Sequence, residues 1–165
     1  MTYRSAKPSD LNQLIQLGFH TWSIFKNDLT PEFWEQLKQG LLDPSTYESL
    51  LNDSYSVVCE NDQDEIIGMV FLVPSGNPTD IFPADWCYIR FLTVHPNYAG
   101  AGIGKQLTIK CMDYAIQNKE HTIALHTSEM MQNAIRLYTN LGFKRLKEIP
   151  SRLGKKYWVY TYSIS

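Results

Sequence analysis

The sequence predicts an α+β fold in a single domain over residues 1–165. Three patterns support this prediction: apolar residues at helical spacing in the first third, β-branched runs around a polar turn in the middle, and a later strand, glycine turn, helix and strand in succession. The length of 165 residues is typical of one domain. No repeat, low-complexity tract or long linker divides the sequence.

Helices are predicted to dominate the first third, after a short strand over residues 2–6. Pro8-Ser9-Asp10 predicts a helix start, because Ser or Asp can cap the free amides of the first turn. Thr30-Pro31-Glu32 and Asp43-Pro44 predict the starts of two more helices. The first helix has apolar and small residues close to a 3.6-residue period: Leu11, Leu14, Ile15, Gly18, Phe19, Trp22 and Phe25.

Strands and helices alternate in the rest of the chain. Residues 54–59 and 66–73 flank Asn61-Asp62-Gln63-Asp64, which predicts an antiparallel hairpin. One amphipathic helix carries Ile103, Leu107, Cys111 and Tyr114 on one stripe. The remaining predicted elements are strands over residues 86–94, 122–126 and 157–164, and a helix over residues 130–141 that ends at Gly142.

The composition argues against several classes of protein. Apolar residues make up 44% of the chain, and 15 Lys and Arg stand against 17 Asp and Glu, so we expect neither disorder nor a nucleic-acid or membrane partner. Three separated cysteines and four scattered histidines predict no disulfide framework and no metal site. Without a signal-like start or an apolar stretch of ~20 residues, the expected location is cytoplasmic.

The most informative segment runs from a strand end through three glycines into a helix. Glycines let an anion approach the backbone closely, and the amides of a helix start can bind phosphate. The alternative is a tight turn that serves only helix packing. The segment reads Val94-His95-Pro96-Asn97-Tyr98-Ala99-Gly100-Ala101-Gly102-Ile103-Gly104-Lys105.

The glycine spacing excludes two common phosphate-binding motifs. A Walker loop has four residues between its first glycine and Gly-Lys, followed by Ser or Thr, whereas only three residues separate Gly100 from Gly104 and Gln106 follows Lys105. A dinucleotide fingerprint needs a third glycine where Lys105 stands, directly after its strand. Neither nucleotide triphosphate nor dinucleotide binding is therefore expected.

Two motifs of the chain, in the right order, resemble the GCN5-related N-acetyltransferase (GNAT) superfamily. Val94-x-Pro96-x-Tyr98-x-Gly100-x-Gly102-Ile103-Gly104 resembles its acetyl-CoA-binding loop. Ala134-Ile135-Arg136-Leu137-Tyr138, followed by Leu141-Gly142-Phe143, resembles its second motif. The resemblance implies a mixed, mostly antiparallel twisted sheet of about six to seven strands, flanked by helices and splayed between the fourth and fifth strands.

The resemblance also implies an activity and its site. A primary amine would attack acetyl-CoA directly in a ternary complex, with acetyl-CoA as cosubstrate and no metal. Tyr138 would protonate the departing thiolate, although its helical spacing with Ala134 and Leu141 also fits a core residue. The residues implied to bind acetyl-CoA are Leu92, Thr93 and Val94 on the strand and Ala99, Gly100, Ala101, Gly102, Ile103, Gly104 and Lys105 on the loop and helix.

Three positions depart from the family pattern. Ala99 stands where Arg or Gln is usual, and Met131 stands where Asn is common. Arg90 replaces the Glu that many members carry as a general base. These departures keep open an alternative function, a CoA-binding sensory or regulatory module with little or no turnover.

The sequence alone identifies neither the general base nor the amine acceptor. His126, Glu129 or water are the candidates for the base. Arg90 either forms a salt bridge to Asp80 or Asp85, which is the favoured interpretation, or binds a substrate carboxylate. The resemblance implies a small-molecule or peptide amine as acceptor, and homodimers are common among such proteins.

Overall fold

The computed structural model describes residues 1–164, in which seven strands form one sheet. The strand order is β1-β2-β3-β4-β5-β7-β6. Neighbouring strands are antiparallel except β4 and β5, which are parallel. This mixed sheet confirms the predicted fold class. The strands are β1 (Thr2–Ser5), β2 (Tyr55–Glu60), β3 (Ile66–Val73), β4 (Cys87–Val94), β5 (Thr122–Ser128), β6 (Lys144–Arg152) and β7 (Lys155–Ser163).

Five α-helices flank the sheet within the described residues. The Thr30 and Asp43 side chains cap the second and third helices by accepting hydrogen bonds from the N–H groups of Phe33 (3.2 Å) and Ser45 (3.0 Å). The first α-helix ends earlier than predicted, because residues 23–28 form a 3₁₀ helix. The helices are α1 (Leu11–Trp22), α2 (Pro31–Leu42), α3 (Pro44–Asp53), α4 (Ile103–Gln117) and α5 (Gln132–Asn140).

The sheet separates two hydrophobic clusters. On one face, α4 and α5 contribute Leu107 and Tyr138, which pack with Ile89 and Leu125 of the strands. On the other face, α1 and α3 pack their apolar residues against strand residues that include Met69 and Phe71. The inner strand β3 is buried along its whole length because helices cover both of its faces.

Among the strands and α-helices, β6 is the one that the sequence analysis missed. Of its nine residues, only Ile149 is buried, so no apolar alternation marks it as a strand. It lies at the edge of the sheet and pairs with β7 alone. Pro150 is compatible with this edge position, because one side of an edge strand makes no ladder hydrogen bonds.

Strands β4 and β5 diverge shortly after they begin. They pair only at Cys87 with Ile123 and at Tyr88 with Ala124. Further along β4, its register with β3 shifts between Arg90 and Thr93, where two residues oppose one. Phe91 lies in this bulge with a left-handed φ of 53°. The bulge accompanies the opening between the strands, and the predicted splay between the fourth and fifth strands is confirmed.

Candidate functional site

A cavity of about 560 Å³ opens where β4 and β5 diverge. Its wall includes Ile89, Leu125 and Tyr138 from the cluster under α4 and α5. It also includes Phe91 and Tyr157, which pack with the cluster on the opposite face of the sheet. The cavity wall therefore includes residues from both faces of the sheet.

The glycine loop next to β4 has the geometry of an anion site. Gly100 and Gly102 have left-handed φ values of 82° and 81°, which glycine adopts without strain. A Cβ at either position would have no neighbouring atom within 4 Å, so the space above this backbone is open. Gln106 donates its N–H to the Gly102 carbonyl (3.1 Å), and the amides before it, at the first turn of α4, have no intrahelical partner.

The third glycine has a packing role. A Cβ on Gly104 would lie 3.3 Å from Leu137 Cδ2 and 3.7 Å from Val94 Cγ2. Gly104 therefore allows the start of α4 to approach both the end of β4 and the helix α5 that carries Tyr138. This contact brings together the three predicted parts of the site: strand end, amide loop and second motif.

The other predicted cosubstrate-binding residues differ in how they are exposed. Leu92 lines the cavity, whereas the Thr93 side chain is buried and donates to the Phe91 carbonyl (3.0 Å). Ile103 is buried in the core, so it offers only its backbone amide. The exposed residues at the loop surface are Ala99, Gly100, Ala101, Gly102 and Lys105.

Tyr138 is both a core residue and part of the cavity wall. Its side chain is 5% exposed, and its ring lies 5.5 Å from that of Phe143. Burial raises the pKa of the phenol, so the hydroxyl keeps its proton throughout the physiological pH range. The structure thus places a protonated hydroxyl-bearing side chain at the cavity.

Arg90 lines the cavity and has no ion pair within residues 1–164. The favoured interpretation, a salt bridge to Asp80 or Asp85, is therefore wrong. Asp80 instead pairs with Arg152 at 3.6 Å. The Arg90 guanidinium lies 5.3 Å from the centre of the Phe91 ring, and burial lowers the pKa of this arginine. Arg152 also lines the cavity, and the sequence analysis missed it because it stands on the unpredicted strand β6.

The two side chains considered as bases have different surroundings. His126 lines the cavity, where burial and then the positive charges of Arg152 and Arg90 lower its pKa to about 4. Its imidazole is therefore neutral at physiological pH. Glu129 is held against β7, since Glu129 Oε2 accepts the Lys156 N–H (2.7 Å) and the Glu129 N–H donates to the Lys156 carbonyl (3.0 Å).

Residues 1–164 contain no cluster of three or more His, Cys, Asp or Glu side chains arranged to hold a metal ion. Within the same residues, no helix has the length and apolar character needed to cross a membrane.

The chain belongs to the acetyltransferase (GNAT) family, whose sequence profile matches residues 18–143. This match covers both the glycine loop and the second motif. GNAT proteins transfer acyl groups.

Individual relatives agree with the family assignment. The chain is 38% identical over 84 residues to an N-acetylaspartate synthetase from Xenopus tropicalis, a match covering 51% of this chain and 29% of that relative. The fold is similar to that of a PaiA N-acetyltransferase from Thermoplasma acidophilum solved with coenzyme A (TM-score 0.79, 16% identity, 99% and 100% of the two chains). It is also similar to YncA from Salmonella typhimurium solved with acetyl-CoA (TM-score 0.72, 18% identity, 100% and 94%).

Proposed function

We propose that this protein is an acetyl-CoA-dependent N-acetyltransferase that transfers the acetyl group to a primary amine within a ternary complex. The observation that carries this proposal is the set of free first-turn amides of α4, next to the strand that borders an open cavity. Backbone amides at a helix start bind a diphosphate well. The neighbouring cavity then supplies a place for the reacting end of the same molecule.

In this proposal the donor binds along β4 and the loop. The amides of residues 100 and 102–105 hold the diphosphate, because the N–H groups of Ala99 and Ala101 already donate to the Pro96 and Tyr98 carbonyls (3.2 and 3.3 Å). The exposed Lys105 side chain adds a positive charge. Residues 92–94 hold the pantetheine arm through their backbone. Phe91 and Leu92 have no register partner on β3, because the bulge removes them from the ladder. A free amide there stabilises the developing oxyanion by about 3 kcal/mol.

The reaction requires no covalent enzyme intermediate. The amine nitrogen forms a bond to the thioester carbonyl carbon, the carbon–sulfur bond breaks, and the electron pair leaves on sulfur. Tyr138 donates its phenolic proton to that thiolate and regains a proton from water, which takes up the proton that the amine loses. Because the cavity wall includes residues from both faces of the sheet, the cavity can hold donor and acceptor together, and this proximity supplies a large part of the acceleration.

The proton released by the amine passes to water in this proposal. His126 is neutral and can accept a hydrogen bond from the amine, but a group with a pKa of about 4 is a weak base. Glu129 is engaged with the β7 backbone. The attacking amine must therefore be largely neutral when it binds.

Release of free CoA thiol from acetyl-CoA tests this function. The acceptor panel covers small amines, amino acids and peptide amino termini. Amino acids are included because one relative is named for an acetylated amino acid. Thiol release that depends on one acceptor class supports the proposal. Tight CoA binding without thiol release for any amine would favour the alternative, a CoA-binding regulatory module.

A further inference from the structure

The cavity wall carries positive charge without a matching negative charge. Arg90 from β4 and Arg152 from β6 both line the cavity, and no Asp or Glu of the described residues is part of its wall. Arginine stays ionised in proteins, so these side chains contribute two positive charges. The charges of the cavity wall therefore favour an anionic ligand.

Of the two arginines, Arg90 would be stabilised more by an anionic ligand than Arg152. It is partly buried and has no ion pair in the described part of the chain. Its guanidinium is placed against the Phe91 ring, at 5.3 Å from the ring centre, by the bulge at the cavity mouth. Burying a charge without a partner is costly, and a bound carboxylate with bidentate geometry would remove much of this cost.

Arg152 is also available for a ligand. Its contact with Asp80 is 3.6 Å long, and the Asp80 side chain is 81% exposed, so this pair is weak and easily exchanged. The charges of Arg152 and Arg90 both act on His126, which lies between their strands in the cavity wall. The two guanidinium groups thus face a common space.

We propose that Arg90 and Arg152 bind the carboxylates of the acetyl acceptor, and that the acceptor is a dicarboxylic amino acid. This inference rests on the proposed function of the cavity. One carboxylate pairs with each guanidinium, and the amine is left to attack the thioester. Pairing with the guanidinium groups also offsets the two carboxylate charges that would otherwise favour the ammonium form of the amine, so the bound acceptor more readily supplies the neutral nucleophile that the reaction requires.

A set of matched acceptors tests the charge requirement. Thiol release is measured with L-aspartate, L-glutamate, L-asparagine, β-alanine and the diamide of aspartic acid. We expect kcat/KM for the dicarboxylates to exceed that for amines lacking one carboxylate by roughly 10- to 100-fold, the usual effect of losing a charged hydrogen bond. Equal or better turnover of the diamide or β-alanine would overturn the inference and leave the proposed acetyltransferase function intact.

Variants test the two residues. Arg90→Gln and Arg152→Gln should each lower kcat/KM for the preferred dicarboxylate by roughly 10- to 100-fold and leave the KM for acetyl-CoA nearly unchanged. Arg90→Lys should recover part of the loss, since it keeps the charge without the bidentate geometry. Lys147→Gln, which removes one charge from an exposed position on β6, is the control and should change nothing. Less than a twofold effect of both arginine variants would overturn the inference.

Calorimetric binding of L-aspartate distinguishes a failure of the proposed carboxylate site from a failure of the proposed acetyltransferase function. L-Aspartate is titrated calorimetrically into the CoA-loaded protein and into the CoA-loaded Arg90→Gln variant. Binding that the variant loses, without thiol release in the assay, would support the carboxylate site and contradict the catalytic function. Thiol release with other amines, together with no binding when L-aspartate or L-glutamate is titrated in the same way, would support the catalytic function and overturn the carboxylate site.

Discussion

Tyr138 shows how one side chain can belong to both the core and the site. It packs on Phe143 beneath the sheet, yet it forms part of the cavity wall at the opening between β4 and β5. Helical spacing alone fitted a core residue, and the motif resemblance implied a catalytic one. The structure shows Tyr138 as a core residue that also lines the cavity, and its catalytic role stays a prediction.

Replacing Tyr138 by Phe removes only the hydroxyl. We expect kcat to fall by about 10- to 100-fold, because the departing thiolate loses its proton donor, with little change in the KM for acetyl-CoA. Steady-state kinetics at saturating acceptor measures both quantities. Tyr160→Phe is the control, since Tyr160 lies in the same hydrophobic cluster but its hydroxyl accepts hydrogen bonds from Arg145. An unchanged kcat in Tyr138→Phe would contradict the general-acid role.

The sequence predicted the turn between β4 and α4 but not the charges of the cavity. Gly100, Gly102 and Gly104 form a short local motif that predicts a tight turn, whereas the packing of Gly104 against Leu137 depends on the tertiary structure. Arg90 and Arg152 come together only through the pairing of distant strands. The expectation that a lone arginine pairs with a nearby carboxylate therefore gave Arg90 the partners Asp80 or Asp85, whereas Asp80 pairs with Arg152.

At the level of elements, burial decided which strands could be predicted. β3 is apolar throughout and β7 alternates, and both were recognised. β6 is almost wholly exposed at the sheet edge, where its residues lack the pattern that packing imposes. The left-handed bulge at Phe91 has no sequence signal either, because glycine is the residue expected at such a φ value.

The packing of α1 against α3 depends on a small residue in α1. A Cβ at Gly18 would lie 2.5 Å from the Tyr47 hydroxyl oxygen, and Tyr47 is fully buried with its hydroxyl donating to the Leu41 carbonyl (2.9 Å). Gly18→Ala should therefore lower the free energy of unfolding by about 1–3 kcal/mol through overpacking. Urea denaturation measures the change.

Gly40 provides the matched comparison for Gly18. It is also a helical glycine, in α2, but a Cβ there would meet no atom within 4 Å. Gly40→Ala should raise the free energy of unfolding by about 1 kcal/mol, as expected from helix propensity. If both substitutions changed stability equally and in the same direction, the close contact between α1 and α3 would be contradicted.

At the scale of the whole molecule, an ion-pair network joins β1 and β2 to the segment just before α1. Arg4 on β1 donates to both carboxylate oxygens of Asp10 (2.8 and 2.9 Å) and to Glu60 on β2 (2.7 Å). Ser9 or Asp10 is predicted to cap α1, but the Asp10 side chain makes no cap hydrogen bond to that helix and accepts the Lys7 N–H (2.7 Å). The Arg4 hydrogen bonds lower the pKa of Asp10 despite its burial.

This network should make the protein sensitive to acid. Because the pKa of Asp10 is lower in the folded state, its contribution is present above the unfolded-state pKa and is lost as the pH falls through the folded-state pKa. Asp10→Asn should lower the free energy of unfolding at neutral pH by about 2 kcal/mol and flatten its decline in acid. Urea denaturation across a pH series measures this. The exposed Asp53→Asn is the control, and an acid dependence unchanged by Asp10→Asn would refute the assignment.

Calorimetric titration with acetyl-CoA and CoA tests whether the amides at the start of α4 bind the diphosphate. We expect one bound molecule per chain for both compounds. Gly102→Asp should abolish binding, whereas Gly102→Asn, which has nearly the same shape, no charge and a tolerance for the left-handed φ, should retain measurable binding. Binding of the diphosphate by these amides would be contradicted if neither compound bound the unsubstituted protein, or if Gly102→Asp bound them as tightly as the unsubstituted protein.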